Sequence, residues 1–246
     1  ALAADVETAE SVVALTGAGV STASGIPDFR SEGGVWETHD QADFHYRRFQ
    51  ADPEGFWQDR IALRTTLYGE GEDRVAPNAA HEALATLEER GHLDALVTQN
   101  VDGLHAEAGS ETVVRLHGTG QRSACQGCGR RVDADEIQQR VEAGEVPPRC
   151  ASCDGVFKPD VVLFGEQLPQ RALQRARNLA GEADVFLSVG SSLSVEPAAS
   201  LPVVAGRRGA IVADVNLDST RLSGTADYEF RADVTEMLPA LVEALE

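Results

Sequence analysis

TGAGVSTASGIPDFR, residues 16–30, follows directly on the apolar run SVVAL at residues 11–15. A buried strand that enters a glycine-rich turn and a helix N-terminus is the phosphate-binding arrangement of dinucleotide-binding α/β folds. Gly17 and Gly19 allow the backbone to turn sharply and to approach a pyrophosphate closely. Thr22 stands where the strict dinucleotide pattern has its last glycine, so Gly-Ala-Gly by itself fits a plain tight turn equally well.

The second half of this stretch, SGIPDFR at residues 24–30, places an acid, an aromatic ring and an arginine where a flap over a ligand would lie. With it the chain resembles the sirtuins, the NAD-dependent protein lysine deacylases, because the family pattern GAGxSxxSGIPDFR is matched at every fixed position. Further family motifs follow in order along almost the whole chain. The resemblance implies that NAD is bound here by Gly17, Ala18, Gly19, Ser21, Thr22, Asp28, Phe29 and Arg30.

The composition narrows the class of protein. A chain of 246 residues can bury the core of one large domain, or of one large and one small domain. Its 40 acidic and 21 basic residues give a net charge of −19, which argues against direct nucleic-acid binding and leads us to hypothesise adaptation to high salt. No apolar run reaches the roughly 18 residues of a membrane span, and the first residues do not resemble a signal peptide, so we expect a cytoplasmic location and no membrane partner.

Apolar strands alternate with helical segments, which predicts an α/β fold with a doubly wound, Rossmann-like parallel sheet. Between its units, residues 31–75 are interpreted as a mobile loop followed by a helix at about 53–67. Asn78 and Gly91 mark the start and end of the next helix. We expect three parts: a Rossmann-like NAD-binding domain of residues 1–31, 76–119 and 158–246, a flexible-loop and helical insertion of residues 32–75, and a zinc-binding module of residues 120–157 that forms a small domain with the insertion.

An expected strand at residues 93–97 leads into TQNVDGLH at residues 98–105. Polar side chains at the carboxyl end of a parallel strand suit the hydroxyls of a ribose and a carboxamide, although a polar loop with a capping aspartate is an alternative. TQNVDGLH reproduces a sirtuin motif. By that resemblance Gln99 and Asn100 contact the nicotinamide ribose, Val101 borders the same pocket, Asp102 holds the nicotinamide carboxamide, and His105 has a structural part.

A further strand, expected at residues 112–116, ends in His117-Gly118. A lone histidine is commonly structural, but this one follows a strand end, and its reference pKa of about 6.5 suits a general base near neutrality. In the sirtuins, the histidine of the His-Gly motif is the catalytic base. Of the six histidines only His117 fits that motif, so the resemblance makes it the base, with Asn100 and Asp102 beside it.

The four cysteines form two Cys-x-x-Cys pairs that are 21 residues apart, Cys125 with Cys128 and Cys150 with Cys153. This spacing is typical of two zinc knuckles that hold one tetrahedral zinc ion, and two disulfides are the alternative. Four thiolates fill the coordination sphere of zinc, so we expect one structural zinc per chain with no open position for substrate.

Beyond the cysteines, residues 155–166 are expected to return the chain to the main sheet. They match the sirtuin segment whose backbone pairs with a substrate peptide as an added strand. The resemblance implies acetylated-lysine proteins as partners, with Val162, Phe164, Gly165 and Glu166 along the peptide cleft.

The last third of the chain is interpreted as a nucleotide half-site. Expected strands at residues 184–189 and 209–215 each end in polar residues, and the first leads into a match to the family motif GTSxxVxPA in which serine replaces threonine. By resemblance the adenosine side of NAD contacts Gly190, Ser191, Ser192, Asn216 and Leu217, and the adenine is bordered by Asp233 and Val234.

The resemblance implies the following reaction. The acyl oxygen of the modified lysine attacks the ribose carbon as nicotinamide leaves, and His117 then deprotonates a ribose hydroxyl that attacks the imidate carbon. Water completes the transfer to O-acyl-ADP-ribose, so NAD is consumed as a co-substrate. Phe29 shields the cationic ribose, and Arg30 supports the phosphates.

Three alternatives share the NAD site: a protein ADP-ribosyltransferase, a non-catalytic NAD or ADP-ribose-binding module, and a Rossmann dehydrogenase.

Family members that remove succinyl or malonyl groups carry a Tyr-x-x-Arg pair, which binds the distal carboxylate. Here Arg60 and Leu63 stand at those positions, so we predict acetyl or another uncharged acyl group, with Arg60 or Arg64 as possible substitutes for the missing pair.

Overall fold

The structure is a computed structural model of the chain, and residues 1–31, 33–68 and 75–245 are described. In these ranges it has nine β-strands and ten α-helices. The strands are β1 Val12–Thr16, β2 Ala95–Thr98, β3 Val113–Arg115, β4 Gly118–Cys125, β5 Arg131–Asp133, β6 Phe157–Val161, β7 Val185–Val189, β8 Ile211–Val215 and β9 Tyr228–Phe230. The helices are α1 Leu2–Thr8, α2 Val35–Thr38, α3 Tyr46–Ala51, α4 Pro53–Tyr68, α5 Ala79–Glu89, α6 Leu104–Glu107, α7 Ala134–Glu142, α8 Gln170–Glu182, α9 Leu201–Arg208 and α10 Val234–Glu243.

The main sheet is parallel throughout, with the strand order β3-β2-β1-β7-β8-β9. Its central strands β1 and β7 are buried at every residue, as expected for strands covered by helices on both faces. The order corresponds to that of a dinucleotide-binding fold, so the predicted doubly wound sheet is confirmed. The strand order reverses between β1 and β7, and open α/β sheets bind their ligands outside the carboxyl ends of the strands at such a point.

Helices cover both faces of this sheet because its strands are apolar on both sides. Val12 and Ala14 of β1 face a core shared with α1, α5 and α10, whereas Val13 and Leu15 face a second core shared with α8 and α9. The side chain of Asn78 caps α5, as its sequence predicts, by accepting a hydrogen bond from the Ala80 N–H at 3.0 Å. No helix within the described ranges is long and apolar enough to cross a membrane.

The insertion has more regular structure than we predicted. The helix expected at about residues 53–67 is α4, but α2, α3 and a 3₁₀ turn at Gln41–Phe44 occupy the preceding stretch that we interpreted as a mobile loop. The physical reason is an aromatic cluster, since Phe44, Phe49 and Phe56 are almost fully buried against one another. Glu32 and residues 69–74, which the predicted insertion includes, lie outside the described residues.

The four-cysteine region forms a separate antiparallel sheet with the order β5-β4-β6, flanked by α7. Our expectation that residues 155–166 rejoin the main sheet is wrong, because β6 pairs with β4 and not with a strand of the main sheet. The indole N–H of Trp57 in α4 donates to the carbonyl of Phe157 in β6 at 2.9 Å. This bond, which is buried, joins the insertion to the cysteine region, and both contribute to one apolar core.

Candidate active site

The glycine stretch after β1 lies against the loop after β7. The Gly17 N–H donates to the Val189 carbonyl, and the Gly19 N–H donates to the Gly190 carbonyl at 2.9 Å. A Cβ on Gly17 or Gly19 would lie 2.8 Å from the Gly190 oxygen, so only glycine allows these two backbones to meet. The helix that we expected directly after β1 is absent, and two 3₁₀ turns, Ala18–Val20 and Thr22–Ser24, take its place.

Asn100 lies at the carboxyl end of β2, beside the glycine stretch. Its amide nitrogen Nδ2 donates to the Gly17 carbonyl and to the Ser21 hydroxyl, both at 3.1 Å. Since both N–H groups of the amide are used, its oxygen Oδ1 is left as an acceptor for a ligand. A free acceptor at this edge of the sheet suits a ribose hydroxyl.

The carboxylate of Asp102 is held by two donors. Its Oδ2 accepts from the Ser21 hydroxyl at 2.8 Å, and its Oδ1 accepts from the Leu104 N–H at 2.9 Å. Ser21 therefore bridges Asn100 and Asp102, and its hydroxyl oxygen also lies 3.4 Å from Nε2 of His81. The Ser21 bonds thus fix the orientation of two polar side chains that the sequence assigned to the nicotinamide ribose and carboxamide.

His117 follows β3, and its ring nitrogen Nδ1 lies 2.9 Å from the Gln99 carbonyl oxygen. A carbonyl only accepts hydrogen bonds, so Nδ1 carries the proton and Nε2 keeps a free lone pair. Burial lowers the pKa of His117 below 6.5, and the bond to the Gln99 carbonyl raises it in part. The imidazole is therefore neutral near pH 7, with one nitrogen anchored and the other available as a base.

The flap after the glycine stretch is stabilised from within. The carboxylate of Asp28 accepts from the N–H groups of Arg30 and Ser31, both at 2.8 Å. Burial raises the pKa of Asp28, but the hydrogen bonds from Ser31 and Arg30 outweigh it, and the pKa lies below 3.8. The Phe29 ring packs against Trp36, with the centroids 5.3 Å apart, while Arg30 is exposed. The Asp28 side chain thus stabilises its own loop through hydrogen bonds. Phe29 and Arg30 are the flap residues whose side chains can contact a ligand.

The predicted adenosine half-site is only partly assembled by the structure. Nε2 of Gln99 donates to the Ser191 hydroxyl at 2.9 Å, which joins the loops after β2 and β7. Asn216 uses its side-chain amide on the Asp218 carbonyl, and Leu217 is 68% exposed, as expected of a residue that a ligand would cover. The last two predicted residues have local roles, because Asp233 caps α10 through the Thr235 N–H and Val234 is buried in the core.

The residues predicted for the peptide cleft follow β6. The Val162 N–H donates to the His117 carbonyl, which places this segment next to the base. Phe164 pairs through its backbone with the insertion, since its carbonyl accepts from the Tyr46 N–H at 2.9 Å. The Glu166 carboxylate is engaged by Lys158 Nζ at 2.9 Å and by the Leu163 N–H, so its side chain supports the loop rather than the cleft.

The four cysteine sulfurs all lie within 4.8 Å of one another. The sulfurs of Cys125 and Cys153 are 3.4 Å apart and those of Cys128 and Cys150 are 3.8 Å apart, far beyond the roughly 2.05 Å of a disulfide bond, and all four thiols are free. Tetrahedral zinc with bonds of about 2.3 Å to sulfur separates its ligands by roughly 3.8 Å, so the arrangement fits the metal. Hydrogen bonding from the Ser152 N–H is the largest cause that lowers the pKa of Cys150 to about 6. The Gly155 N–H lowers the pKa of Cys153, but hydrogen bonds with the Cys125 and Cys128 thiols outweigh it and raise that pKa to about 12. Ionisation of one thiol thus opposes ionisation of its neighbours, which a bound cation would offset.

Two buried histidines near the candidate site were not assigned to it from the sequence. His81 lies in α5 and His105 in α6, and their ring centroids are 4.8 Å apart. His81 carried no motif signal that we recognised, whereas His105 lay within TQNVDGLH but had only a structural part. The signal available for both was a histidine in the first turn of a helix, His81 as the third residue of α5 and His105 as the second residue of α6.

Comparison with known protein families gives a direct match. Residues 17–197, from the glycine stretch to beyond the loop after β7, match the Sir2 family. The chain belongs to the Sir2 family. The sirtuin resemblance drawn from GAGxSxxSGIPDFR and TQNVDGLH is thereby confirmed.

Relatives of this sirtuin cover the chain almost completely. It is 55% identical over 246 residues to the NAD-dependent protein deacetylase of Haloarcula marismortui, matching 100% of this chain and 94% of the relative. A second relative, NAD-dependent protein deacetylase 1 of Pyrobaculum aerophilum, is 46% identical over 95% of this chain and 89% of its own length. Haloarcula is a halophilic archaeon, which agrees with the salt adaptation predicted from the acidic composition.

Solved structures of the family have the same fold as this sirtuin. A Sir2 variant with a deacetylated p53 peptide and 3′-O-acetyl ADP-ribose has a TM-score of 0.90 at 35% identity, over 98% of this chain and 96% of the other. A Sir2 complex with a p53 peptide and NAD+ has a TM-score of 0.85 at 34% identity, with the same coverage. The fold, including the edge of the sheet at which the candidate site lies, is therefore that of the family.

Proposed function

We propose that this sirtuin removes acetyl groups from protein lysines and consumes NAD in doing so. Acetyl-lysine, NAD and water give lysine, nicotinamide and O-acetyl-ADP-ribose. The observation that carries the proposal is one neutral imidazole, His117, with its Nδ1 anchored and its Nε2 free, at the same sheet edge as Asn100 and Asp102. The names of the relatives and the contents of the solved family structures support the same reaction.

Each residue has a role that its contacts allow. His117 accepts a proton from a ribose hydroxyl at Nε2, because Nδ1 is already bonded to the Gln99 carbonyl. Asn100 accepts a hydrogen bond from the ribose at Oδ1, and Asp102 binds the carboxamide N–H group with the carboxylate that Ser21 orients. Phe29 covers the ribose from the flap. We retain the remaining NAD and peptide assignments made from the sequence as part of this proposal. For Asp28, Glu166, Asp233 and Val234, whose side chains are engaged locally, we propose contact through the backbone.

We also propose the three-part division of the chain made from the sequence. The apolar core shared by the insertion and the cysteine region supports their grouping as one small domain. The antiparallel sheet of that domain runs from Gly118 to Val161 and so extends slightly beyond the expected residues 120–157. Its four thiolates would hold zinc, which supplies cross-linking of the module and takes no part in the reaction.

We propose that the acyl group is an acetyl or another uncharged group, because the chain lacks the Tyr-x-x-Arg pair that would bind a distal carboxylate. Arg64 is engaged by Asp135 in an ion pair. Arg60, in contrast, is 7% exposed, and its buried Nη1 has no hydrogen-bond partner in the part of the chain that the structure describes. A buried guanidinium with no carboxylate partner among residues 1–31, 33–68 and 75–245 favours one second candidate, an acyl group that ends in a carboxylate.

Acetyl and succinyl forms of one peptide, compared with the wild-type enzyme and with Arg60→Leu, separate the two substrate classes. We expect faster deacetylation by the wild type. Faster desuccinylation that Arg60→Leu abolishes would instead establish the carboxylate-ended substrate.

The test of the reaction follows nicotinamide and deacetylated peptide together, at molar KCl, with NAD and an acetyl-lysine peptide. We expect equal amounts of both products from the wild type, and roughly 10²-fold to 10⁴-fold slower formation by His117→Ala. His92→Ala is the matched control, since His92 precedes β2 and lies toward the opposite edge of the sheet. Nicotinamide without deacetylated peptide would favour ADP-ribosyl transfer, neither product would favour a binding module, and absorbance of NADH would favour a dehydrogenase.

A further inference from the structure

Next to the polar residues of the active site lie four buried polar side chains. His81 and His105 are 0% and 3% exposed, with their rings inclined by 55°. Thr16 and Thr98, at the ends of neighbouring strands β1 and β2, lie between His105 and the backbone of Asn100. The proposed reaction assigns no part to these buried groups.

A chain of hydrogen bonds leads from His105 to Asn100. Nε2 of His105 lies 2.9 Å from the Thr16 hydroxyl oxygen, and the Thr16 hydroxyl donates to the Thr98 hydroxyl oxygen at 2.8 Å. The Thr98 oxygen also accepts from the backbone N–H of Asn100 at 3.0 Å. Each link is either fully or partly buried, so water does not compete for these groups freely.

The direction of the chain fixes the tautomer of His105. Thr16 has one hydroxyl proton, which it donates to Thr98, so its oxygen accepts from His105. Nε2 of His105 therefore carries the proton and Nδ1 does not. Nδ1 is buried and has no hydrogen-bond partner among the described residues.

That unpaired nitrogen argues against a purely packing role for His105. A buried polar atom without a hydrogen-bond partner is unfavourable. A leucine or phenylalanine would fill the same buried space without leaving such an atom. The group of the imidazole that does make a hydrogen bond is Nε2–H, and its acceptor is the Thr16 hydroxyl oxygen. Burial lowers the pKa of His105 to about 3, so the ring remains neutral and the donor stays in place.

We propose that His105 is a positioning residue for Asn100, acting through the hydroxyls of Thr16 and Thr98. The proposal rests on the proposed function of Asn100 at the ribose of NAD. Asn100 is then fixed twice, through its backbone N–H by the chain from His105 and through its side-chain amide by Gly17 and Ser21. Together these bonds keep its Oδ1 toward the ligand.

The test compares His105→Phe, which removes the donor, with His105→Gln, which keeps an N–H donor at a similar reach. We expect His105→Phe to lower kcat for nicotinamide release about 10-fold, as the loss of one buried hydrogen-bonded link allows, and His105→Gln to restore it to within about threefold. Thr98→Val should have the same effect, and the double variant His105→Phe, Thr98→Val should be no slower than either one, because both break one chain.

A binding measurement keeps this test separate from the test of deacetylation. Calorimetry gives the affinities for NAD and for ADP, which lacks the nicotinamide ribose. We expect His105→Phe to weaken NAD binding about 10-fold and to leave ADP binding within about twofold of the wild type. If the wild type proves to have no turnover, the NAD-to-ADP affinity ratio still decides the role of His105.

Ser188→Ala is the matched control, since Ser188 is a buried residue of β7 whose hydroxyl has no partner among the described residues. It should change neither kcat nor the affinity ratio. The proposal is overturned if folded His105→Phe keeps the wild-type kcat and affinity ratio, if NAD and ADP affinities fall together, or if His105→Gln is as slow as His105→Phe. Should His105→Phe fail to fold, Thr98→Val against Thr98→Ser decides on the same readouts.

Discussion

Acid should destabilise this sirtuin through His105. The pKa of this histidine is 6.5 in its ordinary state and falls to about 3 in the folded chain, chiefly because burial disfavours the charged ring. Below about pH 6.5 the unfolded chain therefore binds a proton that the folded chain refuses, and the free energy of unfolding falls as pH falls, until about pH 3.

The size of this effect follows from the same two values. Each pKa unit corresponds to about 1.4 kcal/mol, and about pH 5 lies roughly 1.5 units below the pKa of the unfolded histidine while the folded one is still neutral. His105 alone should then remove about 2 kcal/mol of stability between about pH 7 and about pH 5. That is a large share of the roughly 5–15 kcal/mol that stabilises an ordinary domain.

Denaturant unfolding at constant molar KCl, with wild type and His105→Gln at both pH values, measures this contribution. Glutamine does not titrate, so the variant should lose about 2 kcal/mol less than the wild type on acidification, whatever its stability at neutral pH. His92→Gln, which removes a histidine that precedes β2 and lies outside the buried pair, is the control variant. Identical pH slopes for wild type and His105→Gln would refute a buried, neutral His105.

Three further predictions concern the metal, the charge and the base. Chelation should remove one zinc per chain and unfold the four-cysteine region, and a folded, active preparation without zinc by metal analysis would rule the metal out. Molar KCl should raise the melting temperature, because ions screen a net charge of −19, and an unchanged melting temperature would argue against salt adaptation. Since burial lowers the pKa of His117 below 6.5, the acidic limb of kcat/KM should have its midpoint below 6.5, whereas a midpoint above it would mean that a different group titrates.

The parallel sheet was predictable because its strands carry their signal locally. Runs such as VVAL at residues 12–15 are apolar on both faces, and each ends in glycine or polar residues that mark the carboxyl edge. Asn78 and Gly91 marked the limits of α5 in the same local way. What failed was the helix after Gly19, since the spacing of glycines cannot distinguish a helix N-terminus from two 3₁₀ turns.

The remaining elements depend on partners distant in the chain. β6 looked like a strand of the main sheet, but its pairing with β4 is set by the fold of the cysteine region. Helices α2 and α3 are held by aromatic packing, which leaves no periodic signal in so short a segment.

The candidate site also has a part that local sequence predicts and a part that it does not. The motifs identified His117, Asn100 and Asp102, whereas the role proposed for His105 depends on hydrogen bonds across β1 and β2.

The fate of the acetyl group distinguishes NAD-consuming deacetylation from simple hydrolysis of the amide. Mass spectrometry of a reaction with NAD and an acetyl-lysine peptide should find O-acetyl-ADP-ribose in an amount equal to the nicotinamide released, and His117→Ala should form neither at a comparable rate. Release of free acetate without nicotinamide would show instead that this sirtuin deacetylates without consuming NAD.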